Sequence, residues 1–389
     1  MNILVIGNGF DLEHDLPTKY EDFLEFIKLI RQVLNVREND DLGKIGWGKI
    51  HPQVKSMIEN NMGNIPNNLF SQEKLWKSLI DNNFWIEYFL QCPMYQKENW
   101  IDFENEISTV IQSVDADMKY NNYKLDDNAS VVSNFYLEQF FHDKLPTGVV
   151  DFGQGVKIIT YKEIRDILYK DLNRLISALE KYICEYVERI DVQKTSDIIE
   201  GLGIDHVLSF NYTHTYQKIY DKTKNVKYDY IHGEAQNDNS IELNNMVLGI
   251  DEYLDEQCRD REVDFIAFKK FYQRIYKGTG CYYKSWLDKI KVSRHANEVS
   301  LREQFPKQIP YGKFNSKHRL YIFGHSLDIT DRDILRDIIL NDDIYTTIYY
   351  FNKEVMGRQI ANLVRVIGQE ELVRRTGGIT KTIEFKPQQ

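Results

Sequence analysis

A chain of 389 residues, 42% hydrophobic and 28% charged, has the balance of one large folded domain or two smaller ones, not of a disordered or fibrous protein. Its formal charge of −10 argues against wrapping nucleic acid, so nucleic acid is not an expected partner. Four cysteines, Cys92, Cys184, Cys258 and Cys281, lie far apart with no C-x-x-C pair, which argues against a disulfide framework or structural zinc, and no metal is predicted.

The first predicted element is an apolar run of strand length over residues 2–6 that stops at Gly7-Asn8-Gly9. A strand running into a glycine turn lets the backbone approach a ligand, and its N–H groups suit an anionic one. Asp11, Glu13 and Asp15 follow at once, where a secretory leader would continue apolar, and no apolar run is long enough to cross a bilayer. The expected location is the cytoplasm, with no membrane partner. Residues 11–18 read as a loop; Thr18 as N-cap, with Glu21 and Asp22 in the first turn, then starts a helix to about residue 33. From there to about residue 203 nearly every periodic stretch is helical. Residues 75–90 and 100–111 read as helices rich in Trp and Phe, and 126–155 as loop around one helix near 135–141. The clearest periodicity runs from Ile164 through Leu168, Leu172, Leu175, Leu179 and Ile183 to Ile190, one broad apolar face of a single helix.

The character changes at residue 206. Residues 206–210, 228–231, 320–323 and 344–351 read as strands, while 331–340 and 356–367 read as helices, the second closed by Gly368. Strands separated by crossover helices mean a parallel sheet covered on both faces. A last strand, 379–385, is expected at an edge. The predicted fold is therefore α/β, a Rossmann-type parallel sheet with a large, mostly helical insertion after the first strand. Residues 1–20 and 204–389 are expected to form a discontinuous nucleotide-binding domain, 21–203 the helical insertion, and 255–290 a smaller helical insertion.

In parallel sheets, ligands sit at the carboxyl ends of the strands. Five polar segments fall there: Gly7-Asn8-Gly9-Phe10-Asp11, Ser209-Phe210-Asn211-Tyr212-Thr213, His232-Gly233, Gly324-His325-Ser326-Leu327 and Asn352-Lys353-Glu354. Taken singly, each has a structural reading. Asn211 reads equally as a turn residue bonded to its own backbone, a lone His232 as a core histidine, and Asp331 as the N-cap of the helix it begins. Their common position is the stronger signal, and it predicts that Gly9, Asn211, His232, Ser326 and Asn352 line one pocket.

The opening motif with Leu16-Pro17-Thr18-Lys19-Tyr20, then Phe210-Asn211-Tyr212-Thr213, His232-Gly233 and Phe323-Gly324-His325-Ser326-Leu327 with Asp331, resembles the AbiH family of bacterial proteins implicated in abortive infection against phage. Trp100-Ile101-Asp102-Phe103-Glu104 in the helical insertion also looks like a family signature. At a deeper level the chain resembles sirtuin-like NAD-binding domains. Gly7-Asn8-Gly9 is similar to the sirtuin Gly-Ala-Gly loop, Ser209-Phe210-Asn211 to Thr-Gln-Asn, His232-Gly233 to the His-Gly that carries the base, Gly324-His325-Ser326-Leu327 to Gly-Thr-Ser-Leu, and Asn352-Lys353-Glu354 to the Asn-x-Glu at the adenosine end. Thr213 departs from the family, standing where the sirtuin motif has Asp, and the zinc-ribbon cysteines of the deacylases are missing.

The resemblance implies an abortive-infection effector that hydrolyses NAD, its substrate, to nicotinamide and ADP-ribose. It implies Asn211 and His232 as catalytic residues, Gly7, Asn8, Gly9, Phe10, Asp11, Gly324, Ser326 and Asn352 as nucleotide-binding residues, and Trp100, Asp102 and Glu104 as a lid over the pocket. The chemistry suits these residue types. Nicotinamide leaves NAD as a neutral molecule through an oxocarbenium-like transition state, so the site needs a polar group to fix ribose and water and a base near neutrality. Two other readings are a catalytically silent nucleotide sensor whose insertion recognises a phage component, and a nucleic-acid-directed effector. The expected partners are a small-molecule nucleotide, a phage component as trigger and a second copy of the chain.

Overall fold

The computed structural model describes residues 1–39, 46–63, 72–98, 101–120, 161–237, 243–250, 264–304, 318–379 and 381–388. Strands β1 (Asn2–Ile6), β2 (His206–Ser209), β3 (Lys227–Tyr230), β4 (His318–Phe323), β5 (Ile344–Tyr350) and β6 (Ile383–Pro387) build one sheet. Its order is β3-β2-β1-β4-β5-β6 and every neighbouring pair is parallel. The chain steps outward from β1 in one direction to β3 and in the other to β6. The order therefore reverses between β1 and β4, the doubly wound arrangement whose crevice lies at the carboxyl ends of those two strands. The fold is α/β, as the strand and helix pattern predicts.

Two compact units make up the chain. The sheet unit comprises Met1–Leu16, Asp191–Glu234 and Gly278–Gln389, and the helical unit Pro17–Ile190 and Ala235–Lys277. In the sheet unit, alternation along β1 sends Ile3 and Val5 into one core and Leu4 and Ile6 into the other. The first core is covered by Trp286, Leu287 and Ile290 of the Tyr283–Gln304 helix and by the helices Arg332–Ile339 and Lys353–Ile367. The second is covered by Phe10, Ile199 and Tyr216. A strand buried on both faces reads as a continuous apolar run, and each such side chain stabilises by about 1.5–3 kcal/mol over exposure. Buried Arg375 ties Thr382, the residue before edge strand β6, to the rest of the unit: its guanidinium donates to Thr382 Oγ1 at 3.1 Å and Leu340 O at 2.8 Å and pairs with Asp342 at 2.7 Å and Glu371 at 2.6 Å.

Several element boundaries differ from expectation for local reasons. Residues 11–13 are not loop but the end of a helix, Asn8–Glu13, that Gly7 opens in extended conformation and that Asp15 ends at φ 58°. The helix expected from 18 to about 33 runs over Tyr20–Asn39. The stretch 75–90 is two helices, Glu73–Ile80 and Phe84–Gln91, because Asn82 adopts φ 51° and Asn83 caps the second, accepting from Trp85 N at 3.0 Å. The long amphipathic helix spans Tyr161–Glu185 and tightens to a 3₁₀ turn at Val187–Arg189. The helix expected near 135–141 lies outside the described residues, and the described part of 255–290 holds the Lys270–Lys277 helix and the start of Tyr283–Gln304.

Within the helical unit the core is aromatic. Phe89 stacks on Phe103 with centroids 4.1 Å apart, and Phe26 packs on Tyr182 at 4.7 Å and Trp76 at 5.6 Å. No helix among the described residues is long and apolar enough to cross a membrane.

Candidate functional site

Three glycines bring the carboxyl ends of β1 and β4 together. Gly9 N–H donates to Gly324 O at 2.8 Å and Gly7 N–H to Phe323 O at 3.4 Å. Gly324 takes φ 66°, and a Cβ there would lie 2.1 Å from Phe10 N; one on Gly9 would lie 2.8 Å from Gly324 Cα. The two loops touch backbone to backbone, so the close approach that these glycines permit is first to each other. The N–H groups of Gly7 and Gly9, expected to serve a pyrophosphate, are engaged by carbonyls of the neighbouring strand end.

At the end of β2, Ser209 Oγ donates to Asn211 O at 3.0 Å and accepts from Asn211 N at 3.1 Å, a local turn that leaves the Asn211 side chain to reach elsewhere. Its Nδ2 donates to Gly7 O at 3.0 Å, tying β2 to the β1 turn, and Oδ1 has no hydrogen-bond partner among the described residues. Buried Asp11 accepts from Thr213 Oγ1 at 2.7 Å, and Thr215 Oγ1 donates to Thr213 Oγ1 at 3.1 Å. The threonine that departs from the sirtuin pattern thus holds a buried carboxylate at its hydroxyl.

The end of β3 carries His232, buried, with Nε2 3.2 Å from Asp331 Oδ1. The other carboxylate oxygen of Asp331 is 3.6 Å from Nε2 of His325, which follows β4. Phe210 meets both rings edge to face, with centroids 4.3 Å from His325 and 5.5 Å from His232. Asp331 precedes the Arg332–Ile339 helix as expected, but its side chain makes no capping bond. Capping happens one turn earlier, where Asp328 accepts from Thr330 N at 3.1 Å, and Asp331 turns its carboxylate to the histidines instead. A second histidine–carboxylate pair, His214 Nε2 to Glu234 Oε2 at 2.8 Å, lies just beyond β2 and β3.

A family model described as bacteriophage abortive infection AbiH matches residues 3–351. The chain belongs to the AbiH family. That membership gives it a role in abortive infection by bacteriophage. No curated protein and no solved structure matches it.

In this AbiH chain the remaining predicted residues fall in several places. Phe10 is fully buried against Phe323, Tyr216 and His14, a core residue of the sheet unit. Asn8 and Ser326 are exposed, and so is Asn352, which caps the Lys353–Ile367 helix by accepting from Val355 N at 2.9 Å. Of the lid residues, all in the helical unit, Asp102 caps the Phe103–Tyr120 helix, accepting from Glu104 N at 3.0 Å and Asn105 N at 3.1 Å. Glu104 pairs with Lys270 at 2.7 Å, and Trp100 lies outside the described residues. The sequence reading missed Asp331 and His325 as site residues. The signal was present, a His and an Asp six residues apart after one strand, but Asp331 reads as a helix cap and His325 stands only as one member of the Gly324–Leu327 motif.

Proposed function

We propose that the sheet unit of this AbiH protein hydrolyses the N-glycosidic bond of NAD, releasing nicotinamide and ADP-ribose. The observation that carries the reading is the His232–Asp331 pair at 3.2 Å, at the carboxyl end of parallel strand β3, with Asn211 at the same end of the neighbouring strand β2. The carboxylate holds the imidazole with Nε2–H toward it, so Nδ1 receives the proton of the attacking water. Water oxygen bonds to C1′ of the nicotinamide ribose, the C1′–N bond breaks, and its electrons leave with neutral nicotinamide. Asn211, anchored through Nδ2 to Gly7 O, offers Oδ1 to the ribose or the water. Buried Asp11, bonded to Thr213, supplies a carboxylate whose charge would favour a developing oxocarbenium.

On this reading the protein acts in the cytoplasm on the nucleotide pool, and a phage component triggers it. The test is purified full-length protein incubated with NAD, with and without lysate of phage-infected cells, and free nicotinamide measured over time. Time-dependent release supports hydrolysis. Binding of NAD without release under both conditions makes the unit a nucleotide sensor instead.

A further inference from the structure

We infer that His325 is a positioning residue for His232, acting through the carboxylate of Asp331; this rests on the reading that His232 is the base. Four separate features fix His325. Leu327 N–H donates to its Nδ1 at 2.9 Å, so that nitrogen carries no proton and Nε2 does. The turn that makes this bond holds Leu327, a fully buried and bulky residue, at φ 60°, and Gly324 at φ 66°. Left-handed backbone at a buried leucine is disfavoured and persists only where its surroundings impose it. Gln359 of the Lys353–Ile367 helix donates from Nε2 to His325 O at 3.2 Å. On the remaining side, Phe210 packs edge to face against the ring.

The fixed tautomer sets what faces the carboxylate. With Nδ1 accepting from Leu327 N–H, His325 presents Nε2–H as a dipole to Asp331 Oδ2 at 3.6 Å. That distance exceeds a hydrogen bond, and the contact acts by orienting the carboxylate rather than by binding it tightly. With Oδ2 turned to His325, Oδ1 faces His232 Nε2. Asp331 therefore has two histidine neighbours in different roles, one fixed by its turn and orienting the carboxylate, the other held by it.

Two substitutions separate the two nitrogens of His325. His325→Asn retains an acceptor near the Nδ1 position for Leu327 N–H but removes the donor facing Asp331. His325→Gln retains a donor that reaches Asp331 but loses the acceptor. The readout is the downfield imidazole N–H proton of His232 in full-length protein labelled with ¹⁵N-histidine, together with melting temperature and nicotinamide release. We expect His325→Asn to keep the melting temperature, broaden or lose the His232 resonance, and lower kcat by about ten- to a hundredfold with KM little changed. His325→Gln should keep the resonance. An unchanged resonance in His325→Asn, or unfolding of both variants, overturns the inference and returns His325 to a role in holding the turn. Because the resonance is recorded without substrate, it reports on the contact even if the wild-type protein releases no nicotinamide, an outcome that counts against the NAD reading alone.

Discussion

Gly324 and Phe10 approach so closely that a Cβ on Gly324 would lie 2.1 Å from the Phe10 backbone nitrogen. The conformation at Gly324, φ 66°, is itself unfavourable for an L side chain by about 1–2 kcal/mol. Gly324→Ala should therefore cost about 3 kcal/mol or more, because two backbones must part to admit one methyl group. Gly357, inside the Lys353–Ile367 helix, has nothing within 4 Å of an added Cβ. Gly357→Ala should stabilise by about 0.5–1 kcal/mol. Melting temperatures of the two variants, moving in opposite directions, check both.

In the helical unit, Asp171 joins two helices. Its Oδ2 accepts from Phe84 N at 2.7 Å, its Oδ1 pairs with Arg174 at 2.7 Å, and its carbonyl accepts from Asn83 Nδ2 at 2.9 Å. Removing the carboxylate from this buried position leaves the Phe84 N–H unpaired and takes the counter-charge from Arg174, which keeps its bonds to the Ser78 and Asp81 carbonyls, so Asp171→Ala should cost about 3 kcal/mol. Urea unfolding of Asp171→Ala, Arg174→Met and the double variant should show coupling of about 1–3 kcal/mol. Additivity would mean that Arg174 is held by the Ser78 and Asp81 carbonyls alone.

Much of this architecture is legible in the sequence, and the exceptions have physical causes. The run Ile3–Ile6 declares a strand buried on both faces, and the polar motifs after β1 to β5 mark the carboxyl ends of the strands. The helix Asn8–Glu13 is not legible, since six residues are too few for a periodicity to show and two of them are Asn and Gly. Gly7, Gly9 and Gly324 correctly announce a close approach, but a glycine cannot say whether a ligand or another loop does the approaching. Asn211 and His232 stand out because they follow strands directly. Asp331 is masked by its place before a helix, where aspartate ordinarily caps; here the helix has no side-chain cap, and Asp328 caps only the 3₁₀ turn before it. The His325 contact depends on left-handed Leu327, and no residue type announces that backbone at leucine.

A buried histidine gives the sheet unit a pH dependence of known sign. His14 Nδ1–H donates to Phe10 O at 2.7 Å, and its Nε2 accepts from Tyr220 OH at 2.6 Å, which itself accepts from Ser196 N at 2.8 Å. Burial, the largest effect, lowers its pKa below 6.5, so the folded protein favours the neutral ring. The unfolded chain then binds a proton that the folded one refuses as pH drops below about 6.5, and stability falls with pH through that window and levels off below the folded pKa. Above about 6.5 His14 contributes no slope. His14→Gln should flatten the melting-temperature profile between pH 5 and 6.5, and an unaltered profile would assign the slope to other groups.

The catalytic reading stands or falls on His232 and Asn211 measured together. Nicotinamide release from NAD, followed in the wild-type protein and in His232→Ala and Asn211→Ala, should fall by about a hundredfold to ten-thousandfold in His232→Ala and strongly in Asn211→Ala. Nucleotide binding should persist in both variants, with melting temperatures within a few degrees of wild type. Full release by His232→Ala, with the same folded stability, would contradict the account and remove the His232–Asp331 pair from the chemistry.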